Sequence, residues 1–232
     1  MTFIYNRQEL ELPYLEAYCE VCQFETDRYQ PSDFERYGVL CPEEIAGSVG
    51  KRQAEYLAGR YMAKSALQQL GFEDTQVGRG SLREPVWPHG VVGSISHSSG
   101  YAACVVASSD DPCAGIGLDI ESLIKPDVYQ NFTDVVISQG EKLKMKDANI
   151  EEDLFHTLLF SAKEAIFKAL FQQVRRYFDF LDVSLTLIDH LSLCFRLNVD
   201  LGEKLPVGTQ IKVYWMKQQS RIITYTHSQY IY

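Results

Sequence analysis

The sequence lacks any apolar run of the ~18 residues that a membrane-spanning helix needs, so we expect no integral membrane segment. Its first residues, MTFIYNRQELELPYLE, turn acidic early and have no apolar core after a basic start, so we expect no secretory signal peptide. Six cysteines spread over 232 residues are too scattered for a disulfide framework. Together these features predict a cytoplasmic protein with reduced thiols.

Positive charge is scarce too, since 22 Lys and Arg stand against 31 Asp and Glu, a net charge of −9. This balance argues against general binding of nucleic acid or of an anionic membrane, but it leaves room for a local basic pocket that takes a small phosphorylated ligand. The sequence also has no Walker A motif and no G-x-G-x-x-G loop, so the folds that use them are not expected. Hydrophobic residues make up 46% of the chain, enough to form real cores.

The pattern of predicted elements divides the chain into two halves of similar build. Residues 1–49 are predicted to be irregular, because prolines interrupt regular structure there. The segment 51–70 has apolar residues at helical spacing and ends at Gly71, which predicts a helix. Three strand-like stretches follow over 91–121.

The second half repeats this order of helix and then strands. A short helix is predicted at 138–146 and a longer one at 151–174, and four strand-like stretches follow. We therefore predict the α+β class, with two similar α+β halves at 1–115 and 116–232.

Paired carboxylates end one of the predicted strands. Asp119 and Glu121 are two residues apart, so their side chains leave the same face of the strand, ~6.6 Å apart along it. Gly115 and Gly117 beside them let another group approach. Two carboxylates in this setting suit Mg²⁺ with a phosphate ligand, and in that case Asp119 does not hold the core together. The alternative is an exposed strand end that carries two solvated acids.

The longer predicted helix contains a second candidate, Glu164 and Lys168. These residues are four apart and so face the same way. Glu164 suits a third metal carboxylate and Lys168 a phosphate partner, but the same spacing also fits an ordinary surface ion pair worth ~0.3–0.5 kcal/mol. Ser161 and Glu164 also match a capping box.

The third candidate is the segment Gly93-Ser-Ile-Ser96-His97-Ser. Ser96 and His97 are neighbours on a predicted strand, so they point to opposite faces and cannot form a nucleophile pair. They can end a strand where a turn offers backbone N–H groups to an anion, with an imidazole beside them. Hydroxyls that merely satisfy a turn explain the segment equally well.

The order of these motifs is more specific than any one of them. W-P-x-G-x-x-G-S-I-S-H (Trp87 to His97), G-I-G-L-D-I-E (Gly115 to Glu121) and F-S-A-K-E-A-I-F-K-A (Phe160 to Ala169) together resemble the phosphopantetheinyl transferases. Within the surfactin-type branch, the sequence is most similar to the enterobactin synthase component D group. K-R-Q-A-E-Y-L-A-G-R (Lys51 to Arg60) also resembles that group. The likeness covers roughly residues 45–225.

The resemblance implies an activity and a fold. Members of the family transfer the phosphopantetheine arm of coenzyme A to a serine of an apo carrier protein, with Mg²⁺, and release adenosine 3′,5′-bisphosphate. Their fold is a pseudo-dimer of two α+β halves with coenzyme A in the cleft between them. The first half then serves the coenzyme A phosphate and adenine side, and the second half carries the metal carboxylates.

The resemblance also implies roles for individual residues. The metal carboxylates are Asp119, Glu121 and Glu164, and the catalytic residues are Glu164, Lys168 and Glu141. The coenzyme A contacts are Arg52, Arg60, Arg83, Ser96, His97 and Lys168. Among these, Arg52 resembles the arginine for the 3′-phosphate, and Lys168 the lysine for the pyrophosphate. Glu141 is similar to a glutamate often proposed as a base, but Ser138 and Glu141 also match a capping box.

One position departs from the family pattern. Many relatives have a basic or amide residue before the proline of the adenine-side loop, whereas this chain has Glu84 before Pro85. Arg83, one position earlier, is the expected substitute.

Two other functions fit the same motifs. The first is another Mg²⁺-dependent phosphoryl enzyme that uses the D-x-E pair, and the second is a non-catalytic subunit that only docks carriers. Neither the carrier nor the pathway follows from the sequence, and a siderophore pathway is suggested by subgroup likeness alone.

Overall fold

The computed structural model describes residues 2–111, 113–130, 133–148 and 150–232. The chain separates into two compact units, Met1–Pro112 and Cys113–Tyr232. Each unit contains helices and an antiparallel sheet, so the predicted α+β class is confirmed. Within the described residues, no helix is long and apolar enough to cross a membrane.

The first unit is a four-stranded sheet with one long helix. Its elements in chain order are β1 (Ile4–Glu9), β2 (Tyr18–Phe24), α1 (Asp33–Tyr37), α2 (Glu43–Ala46), α3 (Gly50–Gln69), β3 (Gly78–Arg79), β4 (Pro85–Val86), β5 (Val91–Ser98) and β6 (Tyr101–Ser108). The sheet order is β1-β2-β6-β5, and β3 and β4 form a separate two-stranded hairpin.

The prediction that residues 1–49 are irregular was wrong, because β1 and β2 supply half of the first sheet. β2 lies between β1 and β6, and Cys19, Glu20, Val21 and Cys22 in its middle are all buried. A strand that is covered on both faces shows no alternation of apolar and polar residues, so the period-2 signal is missing. All six cysteines of the chain are free thiols, as expected from their spacing.

Helix α3 covers one face of the first sheet with small and medium-sized residues. Ala54, Leu57, Ala58 and Met62 recur at helical spacing and are fully buried. Gly59 allows close contact with β5, since a Cβ there would lie 2.8 Å from the Ile95 side chain. The small residues therefore bring the α3 backbone close to β5.

The second unit has five strands and the longest helix of the described chain. Its elements in chain order are β7 (Ile116–Ser122), α4 (Pro126–Tyr129), α5 (Thr133–Val136), α6 (Gln139–Ala148), α7 (Glu152–Val174), β8 (Val183–Ile188), β9 (Ser192–Leu197), β10 (Gln210–Gln218) and β11 (Arg221–His227). The sheet order is β7-β11-β10-β9-β8.

The two units share one connection rule. In each, the strand that precedes the long helix pairs antiparallel with the last strand of the unit, β2 with β6 and β7 with β11. The long helix, α3 or α7, packs on that pair of strands. This common plan agrees with the two halves of similar build that the sequence predicts.

Two glycines set the distance between β7 and α7. A Cβ at Gly115 would lie 1.8 Å from the carbonyl oxygen of Ala169, and one at Gly117 would lie 1.8 Å from that of Ala165. No side chain can occupy such positions, so the α7 backbone lies directly on the strand. The sequence predicted that these glycines make room for another group, and in the structure that group is the helix.

We predict that Gly117→Ala destabilises the second unit by about 3 kcal/mol, because the new methyl group forces α7 away from β7. Thermal or urea unfolding of the variant measures this loss. Gly140→Ala is the matched control, because Gly140 is exposed near the start of α6 with only the Ser138 hydroxyl at 4.0 Å. Helix propensity leads us to expect the control to be neutral or slightly stabilising. Equal losses for both variants would contradict the packing argument.

Candidate functional site

The face of β7 that carries Asp119 and Glu121 is the face against α7. Gly117 points its missing side chain at α7, and the two-residue period of a strand puts Asp119 and Glu121 on the same side. Asp119 is only 3% exposed. Its neighbour across the strands, Thr224, hydrogen-bonds through its hydroxyl to Ser161 of α7, at 2.8 Å. Asp119 is therefore not a solvated strand end.

Lys168 of α7 forms an ion pair with Asp119. Its Nζ lies 2.7 Å from Asp119 Oδ1 and also donates to the Leu118 carbonyl, at 3.1 Å. The lysine side chain is 23% exposed and the aspartate side chain 5%. The partner of this lysine is thus 49 residues away, whereas the sequence offered only Glu164, one turn earlier on the helix. Asp119 thus links β7 to α7 in this structure, and the expectation that a metal-bound Asp119 does not hold the core together stays a prediction.

Glu164 lies beside this ion pair. Burial raises the pKa of its carboxyl above the ordinary value of 4.5, the Lys168 ammonium lowers it, and the Asp119 carboxylate raises it again. Glu164 therefore interacts electrostatically with both members of the ion pair, and its ionised form is disfavoured by burial and by the Asp119 carboxylate. Ser161 lies inside α7, so the capping-box interpretation of Ser161 and Glu164 was wrong.

The donor set of this cluster fits Mg²⁺. The ion prefers hard oxygen ligands and in proteins uses one or two carboxylates, with water and substrate phosphates as its other ligands. Asp119 and Glu164 supply two such carboxylates that sense each other electrostatically. In the described part of the chain, no three His, Cys, Asp or Glu side chains form a ready-made ion site. The third ligand, Glu121, stays a prediction.

Glu141 lies elsewhere in the second unit and is 1% exposed. Its Oε2 accepts hydrogen bonds from the Ser138 N–H at 2.8 Å and the Lys163 ammonium at 3.0 Å, and its Oε1 accepts from the Leu185 N–H at 2.9 Å. The Glu141 N–H also donates to the Ser138 hydroxyl, at 3.3 Å. This reciprocal pattern is a capping box. The contacts favour that interpretation over the role of a catalytic base.

The structure does not bring Glu141 to Asp119. Leu185 is on β8 and Asp119 on β7, and these are the two outer strands of the five-stranded sheet. At about 4.8 Å per strand, their backbones are about 19 Å apart across the sheet. Glu141 therefore satisfies an N–H of an outer strand rather than completing the cluster at Asp119.

Lys163 is a residue that the sequence motif contained but that received no role. Its side chain is fully buried, and its Nζ donates to the Val136 carbonyl at 2.7 Å as well as to Glu141. Burial lowers the pKa of Lys163, and the neighbouring Glu141 carboxylate raises it. The sequence indicates that Lys163 is buried, because it falls on the apolar face of the helix with Leu159, Ile166 and Leu170.

In the first unit, the structure brings Arg52 of α3 to His97 of β5. Arg52 Nη1 lies 3.2 Å from His97 Nε2. Glu55, one turn along α3, lies 3.9 Å from Arg52 Nη1 and 4.0 Å from His97 Nδ1. Lys51 Nζ lies 3.9 Å from the same carboxyl group. Three basic side chains therefore gather around one carboxylate, and the basic part of this group suits an anionic ligand.

Ser96 and His97 are both inside β5, and Ser96 is buried while His97 is partly exposed. This agrees with side chains on opposite faces of the strand. The turn after β5 has positive φ at Ser99 and Gly100, which joins β5 and β6 tightly.

Arg60 has a structural role in the first unit. Its Nε and Nη2 donate to the carbonyls of Val77 and Gly78, both at 3.1 Å, and its guanidinium stacks over the Tyr56 ring at 4.8 Å. Arg60 thereby ties the helix to the segment that leads into β3. The predicted contact of Arg60 with a ligand stays a prediction.

The loop between β3 and β4 contains Glu84, the residue that departs from the family pattern before Pro85, and gives its side chain a local partner. Its carboxylate accepts a hydrogen bond from the Leu82 N–H at 3.0 Å. It also packs against Gly80, where a Cβ would lie 2.2 Å from the carboxyl carbon. Glu84 thus folds back and closes its own loop. Arg83 adopts a left-handed conformation with φ 72° in this loop, and its ligand contact stays a prediction.

We predict that Lys168→Met lowers the stability of the second unit by about 2 kcal/mol, since it leaves the buried Asp119 carboxylate without its cation. A thermal melt measures the loss. Lys142→Met is the matched control, because Lys142 forms an ion pair of similar length, 2.6 Å, with Asp134, whose side chain is 88% exposed. Surface pairs are worth at most about 1 kcal/mol, so the control melts close to the parent. A melting temperature of Lys168→Met equal to that of the control would contradict the role of this pair.

Comparison with known families matches both units. The model of the "4′-phosphopantetheinyl transferase N-terminal domain" matches residues 42–107, and that of the "4′-phosphopantetheinyl transferase superfamily" matches residues 115–225. The second match contains Asp119, Glu164 and Lys168, and the first contains Arg52 and His97.

Individual relatives agree with the family models. The chain is 36% identical over 149 residues to the 4′-phosphopantetheinyl transferase PptT of Mycobacterium tuberculosis, which covers 62% of the chain and 64% of the relative. It is 40% identical over 119 residues to enterobactin synthase component D of Escherichia coli, 51% of the chain and 55% of the relative. It is 35% identical over 144 residues to the 4′-phosphopantetheinyl transferase Npt of Nocardia iowensis, 61% of the chain and 62% of the relative.

These alignments span about half to two thirds of the length of the relatives. The two family models together cover most of both units and contain every residue that the motifs singled out. On this evidence the chain belongs to the 4′-phosphopantetheinyl transferase superfamily.

Proposed function

We propose that the protein transfers the 4′-phosphopantetheine arm of coenzyme A to a serine of an apo carrier protein and releases adenosine 3′,5′-bisphosphate. The observation that carries the proposal is the cluster of Asp119, Glu164 and Lys168, which lies within the superfamily match. Family membership favours this reaction over hydrolysis of another phosphate ester and over a subunit that only docks carriers.

The reaction joins the serine oxygen to the phosphorus that carries pantetheine, and it breaks the bond from that phosphorus to the bisphosphate. Phosphoryl transfer needs charge neutralised on the phosphate oxygens and little covalent work from the protein. Mg²⁺, held by Asp119 and Glu164 with Glu121 as a third ligand, would supply part of that neutralisation.

Lys168 supplies a fixed positive charge in the second unit. Its ammonium is anchored to Asp119 and to the Leu118 carbonyl and is partly exposed, so it is held in place before a ligand arrives. A preorganised cation is most effective where negative charge develops, and we assign it to the pyrophosphate as the bisphosphate leaves.

Of the two candidate proton acceptors, Glu164 fits better than Glu141. Glu164 belongs to the cluster with Asp119 and Lys168, whereas Glu141 donates no group to that cluster and lies at the opposite outer strand of the sheet. The Glu141 carboxylate already accepts hydrogen bonds on both oxygens. We therefore propose that Glu164 takes the serine proton, while Glu141 and Lys163 hold α6, α7 and the outer strand together.

In the first unit, we assign Arg52 and His97 to the 3′-phosphate and Ser96 to the nucleotide phosphates. An arginine and an imidazole in contact offer several N–H donors to one phosphate. The partners we propose are coenzyme A and a carrier protein or carrier domain. Because several relatives are named enterobactin synthase component D, siderophore assembly is the first pathway to test.

The decisive test incubates the full chain with coenzyme A, Mg²⁺ and a panel of apo carrier proteins. We expect intact-protein mass spectrometry to show one carrier gaining a single phosphopantetheine, with equimolar bisphosphate by chromatography. A carrier whose acceptor serine is replaced by alanine is the control and should gain nothing. Phosphate release without a carrier would favour a phosphatase, and coenzyme A binding without transfer would favour a docking subunit.

A second prediction concerns Glu164→Gln, which should lower transfer by about a hundredfold or more while leaving the protein at least as stable at neutral pH. Because burial raises the pKa of Glu164 in the folded state, ionising it costs stability at neutral pH. The parent regains that stability as the pH falls through the raised pKa towards 4.5, so the advantage of the variant disappears there.

Melting temperatures of parent and variant between pH 4 and pH 8 check this sign. Glu203→Gln is the control, since Glu203 is exposed and lies outside the cluster. A variant that is less stable than the parent at pH 8, with the gap unchanged at low pH, would contradict the assigned electrostatics.

A further inference from the structure

Glu55 has a position that no role assigned so far explains. It lies on α3 one turn after Lys51 and Arg52, and its carboxyl oxygens are within 4.0 Å of Lys51 Nζ, Arg52 Nη1 and His97 Nδ1. Its side chain is 18% exposed, less than those of the three basic residues. A carboxylate therefore lies among three basic side chains, two of which, Arg52 and His97, we assign to a phosphate.

The Glu55 carboxylate lies next to two side chains, Arg52 and His97, that are themselves in contact. Arg52 Nη1 lies 3.2 Å from His97 Nε2, and His97 Nδ1 lies 4.0 Å from the Glu55 carboxyl group, so the imidazole contacts the guanidinium on one side and the carboxylate on the other. The carboxylate offsets the positive charges of Lys51 and Arg52. The Glu55 carboxylate is thus a negative charge beside Arg52 and His97, the residues to which we assign a phosphate.

We propose that Glu55 is an internal counter-anion of this basic group. The 3′-phosphate of coenzyme A competes with the Glu55 carboxylate for the same basic side chains when it binds. The inference rests on the proposed function, and it adds a residue that limits affinity for 3′-phosphorylated ligands. The same competition helps the bisphosphate product to leave, since that product carries the same 3′-phosphate.

Removing the negative charge of Glu55 has two opposing effects on the affinity for coenzyme A: the basic side chains lose an ordering contact, and the phosphate loses a repulsive one. The contacts of Glu55 are 3.9–4.0 Å long, beyond hydrogen-bond distance, and partly exposed ion pairs at such lengths add little order. Repulsion between two unit charges about 4 Å apart, even with the screening of bulk water, weakens binding of an anion by about fivefold. A phosphate monoester carries up to about two charges, so repulsion outweighs the loss of order.

The test compares Glu55→Gln with the parent for binding of coenzyme A and of 3′-dephospho-coenzyme A, by calorimetry on the full chain. We expect the variant to bind coenzyme A about five- to tenfold more tightly and 3′-dephospho-coenzyme A within twofold of the parent. Adenosine 3′,5′-bisphosphate should inhibit transfer by the variant more strongly by a similar factor. Glu55→Asp keeps the charge and should restore the parental preference.

Glu35→Gln is the control for net charge, since Glu35 is an exposed residue of α1 in the same unit. Weaker or unchanged coenzyme A binding by Glu55→Gln, or tighter binding by Glu35→Gln as well, would overturn the counter-anion role. A parent protein that binds both ligands equally would instead refute the assignment of Arg52 and His97 to the 3′-phosphate. Failure of the proposed function itself is read separately, as the absence of phosphopantetheine transfer to every apo carrier. A thermal melt of each variant confirms that the proteins compared are folded.

Discussion

The α7 backbone lies directly on β7 because two positions that face it are glycines, Gly115 just before the strand and Gly117 within it. Gly115 meets Ala169 and Gly117 meets Ala165, so two residues of strand match one turn of helix. The lengths agree, since two strand residues rise ~6.6 Å and four helical residues ~6 Å. With the helix this close, the Lys168 ammonium reaches Asp119 in the middle of β7, at 2.7 Å. A side chain at either glycine would separate the charges on which the proposed site depends.

Two ion pairs use lysines of α7, one fully buried and one partly exposed, and they differ in what surrounds them. The pair of Lys163 and Glu141 is saturated, because backbone N–H groups and a backbone carbonyl take the remaining hydrogen bonds. The pair of Lys168 and Asp119 has Glu164 beside it, an acid whose ionised form is disfavoured. A saturated pair stabilises a fold, whereas an acid with a raised pKa next to a partly exposed cation is typical of a reactive site.

The basic group of the first unit depends on the same device of small residues between helix and strand. Gly59 lets α3 approach Ile95 of β5, and Arg52 and His97, on the same two elements, come into contact. The chain as a whole has a net charge of −9, so the phosphate binding proposed for the protein would depend on this local group. In the proposed role of Glu55, its carboxylate weakens that binding and so eases release of the product.

Local periodicity in the sequence determined the two long helices, the α+β class and the shared face of Asp119 and Glu121, because these features repeat every 3.6 or every two residues. It did not reveal β2, which is buried on both faces and has no alternation. Nor did it find the partner of Lys168: spacing along the helix pointed to Glu164, whereas Asp119 is 49 residues away. Contacts over such distances exist only once α7 has packed on β7, so the tertiary structure alone decided which charges meet.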